Sequence, residues 1–493
     1  DLIVREDKKV QLTAETPSYG NLLHLAIQSG QFPMLKHLLT VYFDKTQPLI
    51  EQSILERTPL MEAAYLGDTQ AIHLLYKKGA ALEKTDPKGQ TALHWAVHGK
   101  SPEAIQTLVY LGAKLSASDF QETTRPIDLI KGKEDYTSKA LTSLLQNLEK
   151  QGEKVKEQPP QFTHRPPMNL VFSNGGPKGI AYLGALQTLE EKELLLELER
   201  VAGTSSGAIT ATLLAIGCPI KEMSEILDKV PITTWLDHPF AQDNLTTTLQ
   251  KNSSLEQLWN FLTNPSRLLS PLSWIQSLTK TTGICDGAAF LTWIEQLIHE
   301  KTGVEYCTFG ELQELIAKGK PFKELHVFST QIGPPLAIVH FHAGDPQWKD
   351  LIISDAIRAS ISVPGVFIPH TLHFKGATGK RHPRGDLGLF MDGGMVSNFP
   401  IDAFDFKSYV YKGLSQEVAV KPTFNRRTLG FSLYSAGEKP LEDAPLNTVG
   451  DVLASVMRFY YNAEELILSR NPSNKHRMIK IDHKNVGLQD FHL

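Results

Sequence analysis

The chain has 493 residues, 21% of them charged and 41% hydrophobic, with a formal net charge of −4, the make-up of an ordinary globular protein of several domains. That near-neutral, slightly acidic balance excludes a general polyanion binder, so no nucleic-acid partner is expected. No apolar run approaches the ~18 residues of a membrane span, and three scattered cysteines, Cys218, Cys285 and Cys307, fit a reducing compartment with neither a disulfide framework nor a metal spacing.

The chain opens Asp1-Leu2-Ile3 without a starting Met and without a signal-peptide pattern, so residues upstream of it are expected. Its first third is repetitive. Thr58-Pro-Leu-Met-Glu-Ala63 and Thr91-Ala-Leu-His-Trp-Ala96 begin 33 residues apart, and Gly79-Ala80 and Gly112-Ala113 recur at the same interval. This is the ankyrin period, in which each helix pair buries its apolar face only against its neighbours. Asn21-Leu-Leu-His-Leu-Ala26 is an earlier, less regular copy and Thr124-Arg-Pro-Ile-Asp-Leu129 a degraded later one. An all-α ankyrin-repeat array over 1–150 is expected, closed by a capping helix that includes Leu141, Leu144, Leu145 and Leu148. It is either a spacer or, as such stacks usually are, a surface for a protein partner.

Residues 151–167 read as a linker, because the prolines between Pro159 and Pro167 cannot continue a helix. From 168 to 493 short apolar strands (169–172, 324–329, 337–341, 428–433) alternate with helical patterns (180–189, 289–300, 310–317, 354–361, 448–470), which predicts an α/β sheet. Residues 231–280 form an insertion rich in large rings, among them Trp235, Phe240, Trp259, Phe261 and Trp274. These either pack the insertion onto the core or form a lid or membrane patch.

Chemistry concentrates in Gly203-Thr204-Ser205-Ser206-Gly207. A strand-like run precedes it and an apolar helix follows, the context of a nucleophile elbow with its serine at a helix N-terminus. Gly175-Gly176, between a strand and a helix, lets backbone N–H groups approach an anion; it matches neither the Walker nor the three-glycine dinucleotide pattern. Lys178 is a candidate contact for an oxyanion or a phosphate headgroup, or a solvated surface lysine. Asp392, ahead of Gly393-Gly394, is either a base for Ser205 or a turn-forming aspartate. A conventional triad would draw its histidine from His476, His483 or His492, none of which stands in a distinctive context.

The ordered set Gly175-Gly176-Pro177-Lys178-Gly179, Gly203-Thr204-Ser205-Ser206-Gly207 and Asp392-Gly393-Gly394 resembles the patatin-like phospholipase family, over 168–493. Supporting stretches run from Ile284 to Phe290, Ala356 to Phe367 and Asn398 to Ile401. The resemblance implies a mainly parallel sheet between helices and a Ser–Asp dyad without histidine. Ser205 would attack an acyl carbonyl, Asp392 would act as general base, and the N–H groups of Gly175, Gly176 and Ser206 would hold the oxyanion. No metal or other cofactor is implied for the chemistry, and the substrates implied are phospholipids or lysophospholipids at a membrane surface. The chain departs from the family at Asn174, where a third glycine is common. Ankyrin repeats ahead of such a domain are similar to the calcium-independent phospholipase A2 architecture. The catalytic half is more similar to bacterial proteins, including secreted effectors activated by a host protein such as ubiquitin or a small GTPase. A protein activator is therefore a candidate partner, and the expected location is cytoplasmic or peripheral to a membrane, or the host cytosol for a secreted effector. A serine esterase for soluble esters and a silent binding scaffold are the alternatives.

Overall fold

A computed structural model of the chain describes residues 20–52, 56–119, 124–133, 136–151, 166–229, 235, 283–332, 336–411, 419–434, 474 and 477–482. The chain divides into two compact units, Asp1–Pro166 with Phe404–Arg427, and Pro167–Ala403 with Thr428–Leu493. No helix among the described residues is long and apolar enough to cross a membrane.

In the first unit, α1 (Leu22–Gln28), α2 (Phe32–Val41), α3 (Phe43–Ile50), α4 (Pro59–Leu66), α5 (Thr69–Lys77), α6 (Ala92–His98) and α7 (Pro102–Leu111) stack, and α8 (Tyr136–Gln151) follows. The repeat motif explains the helix starts. The Thr58 hydroxyl caps α4 by accepting the Met61 N–H at 3.3 Å, Pro59 sits where its missing N–H costs nothing, and Gly67 closes the helix at φ 75°. The motif histidines tie neighbouring repeats together: His24 Nε2 meets the Arg57 carbonyl at 3.0 Å and His94 Nε2 the Thr124 carbonyl at 3.1 Å. Ala63, Leu93, Ala96 and Leu108 are fully buried between the layers.

The division departs from the sequence reading in one place. Phe404–Arg427, read as part of the 168–493 block, packs with the repeats. The Tyr411 ring stacks on Tyr65 with centroids 5.2 Å apart, and its hydroxyl donates to buried Glu62. The Arg57 guanidinium lies over the rings of Trp95, Tyr65 and Tyr411 and pairs with Glu62 at 2.9 Å. Arg426 pairs with Asp68. Burial pushes the Glu62 carboxyl up, but Arg57 and the Tyr411 hydroxyl outweigh it and hold it below its ordinary range. No periodicity announces this hub, because it joins positions more than 340 residues apart in the sequence.

In the second unit, β1 (Asn169–Phe172), β2 (Arg200–Thr204), β4 (Glu324–Ile332), β10 (Thr428–Tyr434) and β11 (Met478–Asp482) make a parallel sheet in the order β11-β10-β1-β2-β4, and β5 (Ala337–Phe341) closes the edge antiparallel to β4. β9 (Leu389–Asp392) also runs antiparallel to β4. The short strands β3 (Gly283–Cys285) and β6 (Gly365–Phe367) pair separately, as do β7 (His373–Lys375) and β8 (Arg381–Pro383). Among the described residues the helices are α9 (Tyr182–Glu191), α10 (Ser206–Ala215), α11 (Ile220–Lys229), α12 (Ala288–Thr302), α13 (Phe309–Ala317) and α14 (Ile353–Ser360). The apolar runs of β1, β2 and β4 are buried almost throughout, as parallel central strands require. Of the ring-bearing insertion only Trp235 is described; it is buried against Phe290 and Trp293 of α12, with centroids 5.0 and 4.9 Å away. Phe240, Trp259, Phe261, Trp274, the 448–470 helix and the histidines at 476, 483 and 492 lie outside the described residues.

Candidate active site

In an open parallel sheet, ligand chemistry gathers at the carboxyl ends of the strands. Here β1 runs into Gly175-Gly176 and β2 into Ser205, on neighbouring strands in register from Asn169↔Arg200 to Phe172↔Gly203. Ser205 holds φ 53° and ψ −123°, a left-handed conformation that a side chain rarely adopts and that marks a strained elbow. The glycines around it are dictated by backbone contact. A Cβ on Gly203 would lie 2.2 Å from the Gly207 carbonyl oxygen, and one on Gly207 would lie 2.4 Å from that of Phe172. The chain must therefore turn tightly and press α10 against the end of β1. Helix α10 opens at Ser206, so the N–H groups of Ser206 and Gly207 belong to a first turn without intrahelical partners.

The elbow is held by a residue outside the sequence reading's set. The Ser205 N–H donates to Ser360 Oγ at 2.9 Å, and the Ser360 hydroxyl donates to the Phe328 carbonyl at 2.6 Å. One fully buried hydroxyl at the end of α14 thus ties the Ser205 backbone to β4. It lies in the stretch quoted from Ala356 to Phe367, but nothing local distinguishes it from the serine at 362.

Asp392 ends β9 and is fully buried. Its N–H donates to the Ser362 carbonyl at 2.9 Å, and its Oδ1 accepts the Gly394 N–H at 2.7 Å. Burial pushes its carboxyl up to about 7, against the Ser205 hydroxyl and the Gly394 N–H, which both favour the anion. The Ser205 hydroxyl is thus near enough to act on the Asp392 carboxyl. The approach stops short of a formed hydrogen bond, since Oδ2 has no partner among the described residues. Gly393 is fixed by sterics, because a Cβ there would lie 2.3 Å from the Phe328 carbonyl oxygen.

The glycine pair is present beside the elbow with its amides engaged. The Gly175 N–H donates to Ser206 Oγ at 3.0 Å, and the Gly176 N–H donates to Asn174 Oδ1 at 3.1 Å. The Asn174 side chain thereby stands on an amide that the sequence reading assigned to an oxyanion. Lys178 is half-buried on the 3₁₀ turn Gly176–Ala181. Among the described residues neither Ser205 nor Asp392 hydrogen-bonds an imidazole. His370 and His373 are instead held by Asp355 Oδ1, at 2.7 and 2.8 Å. A hydroxyl at a helix N-terminus, a buried carboxylate with one oxygen open and a pair of loop amides can together carry acyl transfer by a serine nucleophile.

The family model described as patatin-like phospholipase matches residues 170–405, and that described as ankyrin repeats in three copies matches 21–119. Protein YqhO of Bacillus subtilis is 30% identical over 281 residues, covering 56% of this chain and 80% of YqhO. Triacylglycerol lipase 4 of Saccharomyces cerevisiae is 26% identical over 235 residues, 47% of this chain but only 22% of the lipase. The crystal structure of VipD from Legionella pneumophila is similar at 19% identity and a TM-score of 0.34, covering 66% of this chain and 63% of VipD.

Proposed function

Since this chain belongs to the patatin-like phospholipase family, a lipid ester hydrolase domain behind ankyrin repeats, we propose that it is a phospholipase A or lysophospholipase working through a Ser205–Asp392 dyad. The observation that carries the reading is the strained Ser205 elbow beside a buried carboxylate with one unpartnered oxygen.

In this reading Ser205 Oγ attacks the ester carbonyl as its proton passes to Asp392. The carbonyl oxygen becomes an oxyanion and displaces Ser206 Oγ and Asn174 Oδ1 from the Gly175 and Gly176 amides, with the Ser206 N–H as a third donor. Collapse of the tetrahedral intermediate breaks the C–O bond. The departing alcohol takes the proton back from Asp392, leaving an acyl ester on Ser205. Asp392 then accepts a proton from water as the water attacks that ester; the bond to Ser205 Oγ breaks, Ser205 takes the proton back from Asp392, and the fatty acid is freed. Lys178 is placed by this scheme as a headgroup contact. The chemistry calls for no metal or cofactor, so hydrolysis is expected to persist in chelator. The ankyrin repeats serve a protein partner, and an activating partner would appear as release that rises on addition of eukaryotic cytosol.

The dyad makes a pH prediction. Only ionised Asp392 can accept the Ser205 proton, so kcat/KM for a soluble ester should rise with pH to a plateau above an apparent pKa of about 7. Below it the rate should fall about tenfold per pH unit. Labelling of Ser205 by a fluorophosphonate should follow the same curve. An ascending limb near pH 4 would mean that burial does not raise Asp392, and labelling that ignores pH would remove it from the base role.

A further inference from the structure

Two groups among the described residues bring three metal-ligating side chains within 4.8 Å of one another: Glu324, His326 and His342, and Asp355, His370 and His373. In the second group a cation is already in place. Arg381 Nη2 lies 3.0 Å from Asp355 Oδ1 and 3.5 Å from His373 Nδ1, so a guanidinium fills the space that an ion would take.

The first group is built differently. Glu324 and His326 alternate on β4 and share one face of the sheet. His340 and His342 alternate in the same way along and just past the antiparallel neighbour β5. The register Val327↔Phe341, carried on by one residue, sets His342 beside His326, with rings 10° from parallel and centroids 4.8 Å apart. The Glu324 Oε1 to His326 Nε2 separation is 3.1 Å, close to the about 3.3 Å edge of a tetrahedron with 2.0–2.1 Å metal bonds.

Two of the three ligands also have the outer partner that metal ligands usually have. His326 Nδ1 meets His340 Nε2 at 2.7 Å, which leaves Nε2 facing Glu324. Glu324 Oε2 is paired with Arg200 Nε at 3.3 Å, which leaves Oε1 facing His326. His342 Nδ1 is buried without a hydrogen-bond partner.

We propose that Glu324, His326 and His342 form a binding site for a divalent transition ion of the zinc type, with His340 as the residue that orients His326. Nitrogen with one carboxylate oxygen is a donor set for zinc and its first-row neighbours, not for calcium or magnesium. Three protein ligands leave a fourth position for water.

The site is separate from the acyl-transfer chemistry. The parallel register sets Glu324 beside Arg200 and His326 beside Ala202, so they lie roughly 16 and roughly 10 Å along the strand from Ser205. An ion there would pin the edge strand β5 to β4.

The test is titration of the chelator-stripped full-length chain with Zn²⁺ by isothermal calorimetry, with metal content measured independently. The expected result is one equivalent bound and a raised Tm. Glu324→Gln and His342→Ala should each abolish stoichiometric binding. His340→Asn should weaken it about 10–100-fold, and His373→Ala, in the other cluster, should leave it unchanged. A folded wild-type chain that binds no equivalent of Zn²⁺ would overturn the assignment. So would binding that survives both Glu324→Gln and His342→Ala, or that is lost with His373→Ala. Ser205-dependent esterase activity is read in parallel, so failure of the metal site is distinguishable from failure of the hydrolase reading.

Discussion

Asp392→Asn is expected to lower ester hydrolysis by roughly three to four orders of magnitude and at the same time to make the fold more resistant to alkaline pH. The first effect follows from the proposed role of Asp392 as the acceptor of the Ser205 proton. The second follows from burial. Asp392 titrates at about 7 in the folded chain against an ordinary value of 3.8, so between those values the native state holds a proton that the unfolded chain has lost. Native stability therefore falls as pH rises from about 4 to about 7, and by an amount on the order of a few kcal/mol. A neutral carboxamide has no such cost. Its Tm relative to wild type should climb across that window and level off above it. A variant that is inactive with a Tm difference independent of pH would show that Asp392 is not the strained buried acid described here.

Gly207→Ala is the second large effect, and it separates geometry from chemistry. The added methyl would sit 2.4 Å from the Phe172 carbonyl oxygen and 2.5 Å from that of Ser173, both backbone atoms at the end of a central strand. Relief requires α10 to lift from β1, which moves Ser205 relative to Gly175. A loss on the order of 3 kcal/mol or more is expected, together with loss of hydrolysis. Gly184→Ala is the matched control. It lies in α9 with nothing within 4 Å of the new Cβ, so helix propensity alone should stabilise it by about 0.5–1 kcal/mol. Calorimetric melts of the two variants should move in opposite directions. Equal shifts would mean that the close approach at Gly207 is not what shapes the elbow.

Local chemistry explains what could be read ahead of the structure. Gly203 and Gly207 announce the elbow because only glycine fits both contacts, and Thr58 announces a helix start because its hydroxyl caps α4. The repeats are legible for the same reason: Asn21, Thr58 and Thr91 stand at the helix starts, and His24 and His94 bridge onward, with Met61 in the equivalent place of the second copy. Asp392 is a weaker case. Asp-Gly is common in turns, and its partnership with Ser205 depends on β9 pairing with β4 and β4 with β2, a relation between distant segments. Ser360 was invisible because its hydroxyl matters only once α14 meets the end of β4. The packing of Phe404–Arg427 on the repeats depends on Tyr411, Glu62 and Arg57, three residues with no shared local pattern. The alternation of Glu324 with His326 and of His340 with His342 was on view in the sequence. It had no meaning until the antiparallel register set the two strands side by side.

The central claim is that Ser205 cleaves acyl esters of phospholipids, and the most direct measurement is fatty-acid release from mixed phospholipid vesicles by wild type and Ser205→Ala. It is run in chelator, with and without eukaryotic cytosol. The account predicts release by wild type and none above background by Ser205→Ala, with any dependence on cytosol confined to wild type. Release that persists in Ser205→Ala, or an absence of release by wild type under both conditions, would contradict it.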